Sequence, residues 1–107
     1  MKPKKLPNIG AMAAQMAANQ SRIATAIDRL LAPLDSMVDA SAIGDWETVA
    51  ALGRQLARDS RHAGYRGISA GAQSVAREAA QPNNQRRAKQ TLVRLIGTYG
   101  RTAQRES

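Results

Sequence analysis

The sequence predicts an all-α protein, an up-and-down antiparallel four-helix bundle with an additional N-terminal helix. Three observations carry this. Large apolar residues recur at spacings of three, four and seven along the chain, the period of a buried helix face. No segment alternates apolar and polar residues as a half-buried strand does, and the β-branched residues never cluster. The periodic stretches are separated by short turns rich in Gly, Pro and Asn, and helices joined by short turns pack antiparallel to their neighbours.

Residues 1–8, with two prolines and three lysines, read as a basic flexible arm, and Asn8 is a plausible N-cap. From there Ile9, Met16, Ile23, Leu30 and Met37 fall seven apart, and Ile27 and Leu34 thicken the same stripe. The segment 9–32 is the N-terminal helix. Pro33 should break or kink it, because proline lacks the N–H an interior position needs, and can start a second helix over 33–43. The bundle then occupies 33–103, with 104–107 as a tail.

Gly44 sits in a turn, with Asp45 as N-cap and Glu47 in the first turn of a helix over 45–63. Its stripe is Trp46, Val49, Leu52, Leu56, Ser60 and Ala63, and Gly64 ends it. Ile68, Ala72, Val75 and Ala79 mark a helix over 67–81. Gln81-Pro82-Asn83-Asn84 is the clearest loop. The last helix covers 85–102, with Ala88, Leu92, Leu95, Ile96 and Tyr99 inward, and Gly97 and Gly100 should fray it beyond Tyr99. Small residues at Ala50, Gly53, Ala57, Gly71 and Ala72 allow close helix approach.

Composition narrows the function. Of 107 residues 43% are hydrophobic, but 21 are alanine and only 18 are Leu, Ile or Val, so the core is thin. There is no cysteine for a disulfide, a thiolate nucleophile or a metal site, and a single histidine cannot build a His-rich metal centre. No apolar run spans a bilayer, and no apolar h-region follows the N-terminal lysines. The expectation is a basic, soluble, cytoplasmic protein that is not an enzyme and carries no cofactor or metal.

The formal charge is +8, from 16 Lys and Arg against 8 Asp and Glu, and it is unevenly spread. Residues 6–59 hold four arginines against six acids, whereas residues 60–107 hold nine bases against Glu78 and Glu106. Such asymmetry suggests an acidic protein or a nucleic acid as partner. For nucleic acid the candidate residues are Arg86, Arg87, Lys89, Arg94 and Arg101, together with the Lys2–Lys5 arm.

The segment from Gly44 to Ala80, GDWETVAALGRQLARDSRHAGYRGISAGAQSVAREAA, resembles the second and third helices of histidine-containing phosphotransfer (HPt) domains. Asp45-Trp46-Glu47 is similar to that family's acid-aromatic helix start. Leu52 and Leu56 match the apolar positions flanking its phospho-acceptor histidine, Gly64 its helix end, and Ile68 and Val75 its return helix. The resemblance covers about a third of the chain. It implies a four-helix bundle whose exposed middle face meets a receiver domain or histidine kinase of a phosphorelay.

The acceptor position, however, holds Arg54, the family's lysine position holds Ala57, and its small glycine position holds Arg58. Phosphoryl acceptance needs a nucleophilic imidazole nitrogen, which guanidinium does not supply. His62, eight residues on, is the alternative acceptor, near the same face but close to the helix end. Arg54, Arg58 and Arg61 form an i, i+4, i+7 stripe, the candidate partner-binding face. The expected protein is therefore an HPt-like bundle without catalysis that binds a signalling partner. Its N-terminal seam suits a monomer or a weak antiparallel homodimer, since parallel pairing would set Lys2, Lys4 and Lys5 beside their copies.

Overall fold

A computed structural model describes residues 26–106, and every regular element among them is helical. Helix α1 is described over 26–42; α2 spans Trp46–His62, α3 Arg66–Ala79 and α4 Gln85–Glu106, with a single 3-10 turn at Pro82–Asn84. The all-α expectation holds. The arm, the Asn8 cap, the early seam at Ile9, Met16 and Ile23, and the dimer that rests on it lie outside the described residues.

Helix α1 buries Ile27, Leu30, Leu34, Met37 and Ala40, one stripe at three- and four-residue spacing. The expected break at Pro33 does not occur: the helix continues through it without interruption. Proline at an interior position removes one backbone bond and costs about 3 kcal/mol. The stripe explains why α1 bears that cost, since Ile27 and Leu30 before the proline and Leu34 and Met37 after it enter the same core. The carbonyl left without its donor belongs to Arg29, an exposed residue that water reaches.

Two glycines close the next two turns by one mechanism. Gly44 and Gly64 adopt φ of +75° and +88°, a region where only glycine is unstrained. At the end of α1, the N–H of Gly44 donates to Ser41 O (3.1 Å) and that of Asp45 to Ala40 O (2.9 Å). At the end of α2, Gly64 donates to Arg61 O (3.1 Å) and Tyr65 to Ser60 O (2.8 Å), the same paired Schellman closure. Asp45 caps α2 as expected: its carboxylate accepts from Thr48 N (3.2 Å) and from the Thr48 hydroxyl (2.7 Å).

Contacts set α2, α3 and α4 in an alternating antiparallel order. A Cβ added at Gly53 of α2 would lie 3.1 Å from both Ala72 O and Ala76 Cβ of α3, and the Ser69 hydroxyl donates to Ala57 O at 2.9 Å. As α2 advances from 53 to 57, α3 retreats from 76 to 69, so the two are antiparallel. Gly71 faces Leu95 and Gly67 faces Thr98, which sets α3 and α4 antiparallel as well. Tyr99 of α4 donates its hydroxyl to Ile27 O of α1 (3.2 Å).

Met37, Val49, Leu56, Ile68, Val75 and Leu95 are the largest apolar side chains fully enclosed between the helices. The core is smaller than the stripes suggest. Trp46 and Leu52, expected to be buried, are only partly so, and Ile96 is 41% exposed. The inward row of α4 is Ala88, Leu92, Leu95, Tyr99 and Thr102, and Leu95, not Ile96, fills the hollow at Gly71. Nor does α4 fray beyond Tyr99. It continues to Glu106 because Thr102 is buried with its hydroxyl on Thr98 O (2.8 Å) and Ala103 packs against the core.

Candidate functional site

Arg54, Arg58 and Arg61 are all exposed and project on the side of α2 that faces α3. The periodicity requires this, since positions four and seven residues on return to nearly the same side of a helix. They line an open groove of about 260 Å³ whose other walls are Ala57, Ser69 and Gln73. No carboxylate borders it, and none of the three guanidinium groups makes a hydrogen bond or ion pair with another described residue. Arg54 also borders the neighbouring hollow of about 560 Å³, where Arg77, Gln81 and Asn84 join it with a single acid, Glu78.

Asp59 follows Arg58 in sequence but does not border the arginine groove. It lines a different groove, between α1 and α2, with Ala26, Arg29, Leu30, His62 and Ala63. His62 is exposed there, turned away from the arginine groove, and so does not share the arginine face as expected. Eight residues make about 2.2 turns, which rotates His62 by about 80° from Arg54. Among the described residues no three His, Cys, Asp or Glu side chains gather as a metal site, and no helix is long and apolar enough to cross a membrane.

Of the five candidate bases on α4, all are exposed, and Arg87, Arg94 and Arg101, seven residues apart, share one side. That side adjoins α3: Arg101 Nη2 donates to Thr98 Oγ1 (3.3 Å), and the Thr98 methyl meets Gly67. Arg86 and Lys89 lie off this row. Sequence reasoning missed three further members of the basic surface. Arg105 extends the row and donates to Thr102 Oγ1 (3.4 Å). On α3, exposed Arg66 and Arg77 are eleven residues apart, close to three full turns, so they share a side. Arg77 donates to Ser74 Oγ at 3.3 Å. For Arg77 and Arg105 the signal was a hydroxyl residue three positions before the arginine, as Thr98 stands before Arg101, which holds one guanidinium donor in place and leaves the others free; Arg66 has no such signal.

Two tyrosines tie the far end of the helices together. Partial burial and then the Glu106 carboxylate, by hydrogen bond and by charge, raise the pKa of Tyr65, with a smaller push from Tyr99. Partial burial and the nearby Asp28 and Asp35 raise that of Tyr99.

No protein-family model matches this chain, and neither the curated proteins nor the solved structures contain a significant match to it.

Proposed function

We propose that the protein is a non-catalytic binding module, an HPt-like bundle without a phospho-acceptor, that docks an acidic partner through the basic face of α2. The observation that carries this reading is the groove of Arg54, Arg58 and Arg61, open, bordered by no acid and unpaired among the described residues. Arginine is suited to the role because its planar fork stays charged and binds carboxylates or phosphates in pairs of hydrogen bonds. The HPt resemblance offers a receiver domain or histidine kinase as the partner, and the strong positive charge offers nucleic acid. Transfer of phosphate is not part of the proposal, since Arg54 stands where the imidazole would be and His62 lies in another groove.

The test is retention of the full chain on immobilised polyglutamate, a generic acidic surface, and on an isolated receiver domain. Arg54→Glu with Arg58→Glu should abolish retention at low salt, while Arg29→Glu on α1 should leave most of it. Equal retention by the double variant refutes docking through α2. Incubation with acetyl phosphate should leave no acid-labile label; label that disappears in His62→Ala would make the protein a working phosphotransfer domain.

A further inference from the structure

The basic surface does not stop at α2. Helix α3 lies between α2 and α4 and packs against both, so its outward side forms the middle of a three-helix face. Arg54, Arg58 and Arg61 stand along one margin of this face, over the groove beside Ser69 and Gln73. Arg66 and Arg77 stand on its middle, with Ala70 and Gln73 exposed between them. Arg87, Arg94 and Arg101 stand along the other margin, held beside α3 through the Thr98 contact.

The dimensions decide what such a face fits. Seven residues of helix rise about 10 Å, so the α4 row from Arg87 to Arg101 runs about 21 Å. Helices in contact lie about 8–10 Å apart, and because α1 packs against both α4 and α2, the axes of α2 and α4 stand on a diagonal about 11–14 Å from each other before the arginines extend. A single acidic pocket engages one helix face and leaves most of these charges idle. A long, regular polyanion engages them all. A DNA duplex carries one charge per about 1.7 Å of its axis, and its major groove, about 12 Å wide, is flanked by two phosphate rows.

Chemistry narrows the polyanion further. Binding of single strands relies on aromatic rings that stack on bases, and Trp46, Tyr65 and Tyr99 are all packed against the core. Duplex RNA is recognised largely through its 2′-hydroxyls across the shallow groove, whereas this face presents guanidinium donors almost alone. Of the acids, Asp28 and Asp35 belong to α1, and Asp59 lies in the α1–α2 groove. A polyanion on the three-helix face meets two carboxylates: Glu78 at its rim, and Glu47, exposed on α2 seven residues before Arg54.

We infer that the α2–α3–α4 face is a docking surface for the phosphate backbone of duplex DNA, held without reading its sequence. This rests on the proposed binding role of the α2 arginines and names their partner. Pairing is charge-assisted and bidentate at each guanidinium, and three of the arginines are already oriented by Ser74, Thr98 and Thr102.

The experiment measures affinity of the full chain for a duplex DNA of about two turns, the same sequence as duplex RNA, its single strand, and polyglutamate, at several salt concentrations. Duplex DNA should bind tightest and equally for unrelated sequences, with log affinity falling linearly against log salt. The triple variant Arg87→Glu, Arg94→Glu, Arg101→Glu should lose at least ten-fold in DNA affinity and flatten the salt slope by about three. Its circular dichroism should match the parent chain, because all three side chains are exposed. Unchanged DNA affinity in the triple variant overturns the inference, as does tighter binding of RNA or of single strands. Retention on polyglutamate without DNA binding overturns it too but spares the α2 docking reading, and failure to bind any of the four polyanions sinks both.

Discussion

Single side chains in this protein do two separable jobs, and the tyrosines show it. Tyr65 and Tyr99 reach across helix ends to Glu106 and to the Ile27 carbonyl, and each sits where its phenolate is disfavoured by burial and by neighbouring carboxylates. A group whose pKa is raised on folding keeps its proton in the native state at a pH where the unfolded chain has lost it. Its stabilising contribution is therefore complete below the unfolded value, about pH 10, and disappears as pH rises through the raised folded value. Thermal melts between pH 8 and 11 should show a melting temperature that declines above about pH 10. Tyr65→Phe and Tyr99→Phe should each make that decline shallower, because phenylalanine does not titrate. A decline of the same steepness in both variants would assign the alkaline loss to other groups.

At the level of helices, α2 and α3 approach backbone to backbone because Gly53 has no side chain. A Cβ there would stand 3.1 Å from a backbone carbonyl and from Ala76, neither of which can swing aside. Gly53→Val should therefore destabilise by about 1–3 kcal/mol through overpacking, although valine tolerates the helical backbone. A denaturant melt that shows no loss would mean the α2–α3 contact is looser than the geometry states. This joint was legible in the sequence, as were the caps at Asp45 and Gly64 and the loop before α4, because turn chemistry is local and glycine at +88° leaves few alternatives. Pro33 was not legible: the penalty is written in the chain, but the burial of Ile27 and Leu30 that offsets it depends on other helices. Ile96 was misread for a related reason, since it and Leu95 both sit at helical spacing from Leu92 and only Gly71 selects between them. The arginine stripe on α2 could be read from spacing alone. That Asp59 turns to the opposite groove, and that α3 joins the α2 and α4 rows into one face, needed the packing order.

Across the whole molecule, charge and core follow the same division. Residues 26–47 carry five acids against one arginine, and every later helix adds to the basic face, so α1 is the element that the docking surface does not require. The core does require it. Ile27 and Leu30 are 4% and 2% exposed, and the Tyr99 hydroxyl bonds to the Ile27 carbonyl. Full burial of such a side chain is worth about 1.5–3 kcal/mol, so the two together supply about 3–6 kcal/mol. Domains of this kind are stable by only about 5–15 kcal/mol, and a core poor in Leu, Ile and Val belongs toward the lower end. A chain beginning at Pro33 keeps every arginine of the three-helix face but loses both residues and the Tyr99 partner. It should melt well below the full chain or be unfolded at room temperature. Far-ultraviolet circular dichroism on heating compares the two. If the Pro33 chain unfolds as cooperatively and at the same temperature as the full protein, then α1 before the proline contributes nothing to the core, and the helix break read from the sequence was the true boundary of the folded unit.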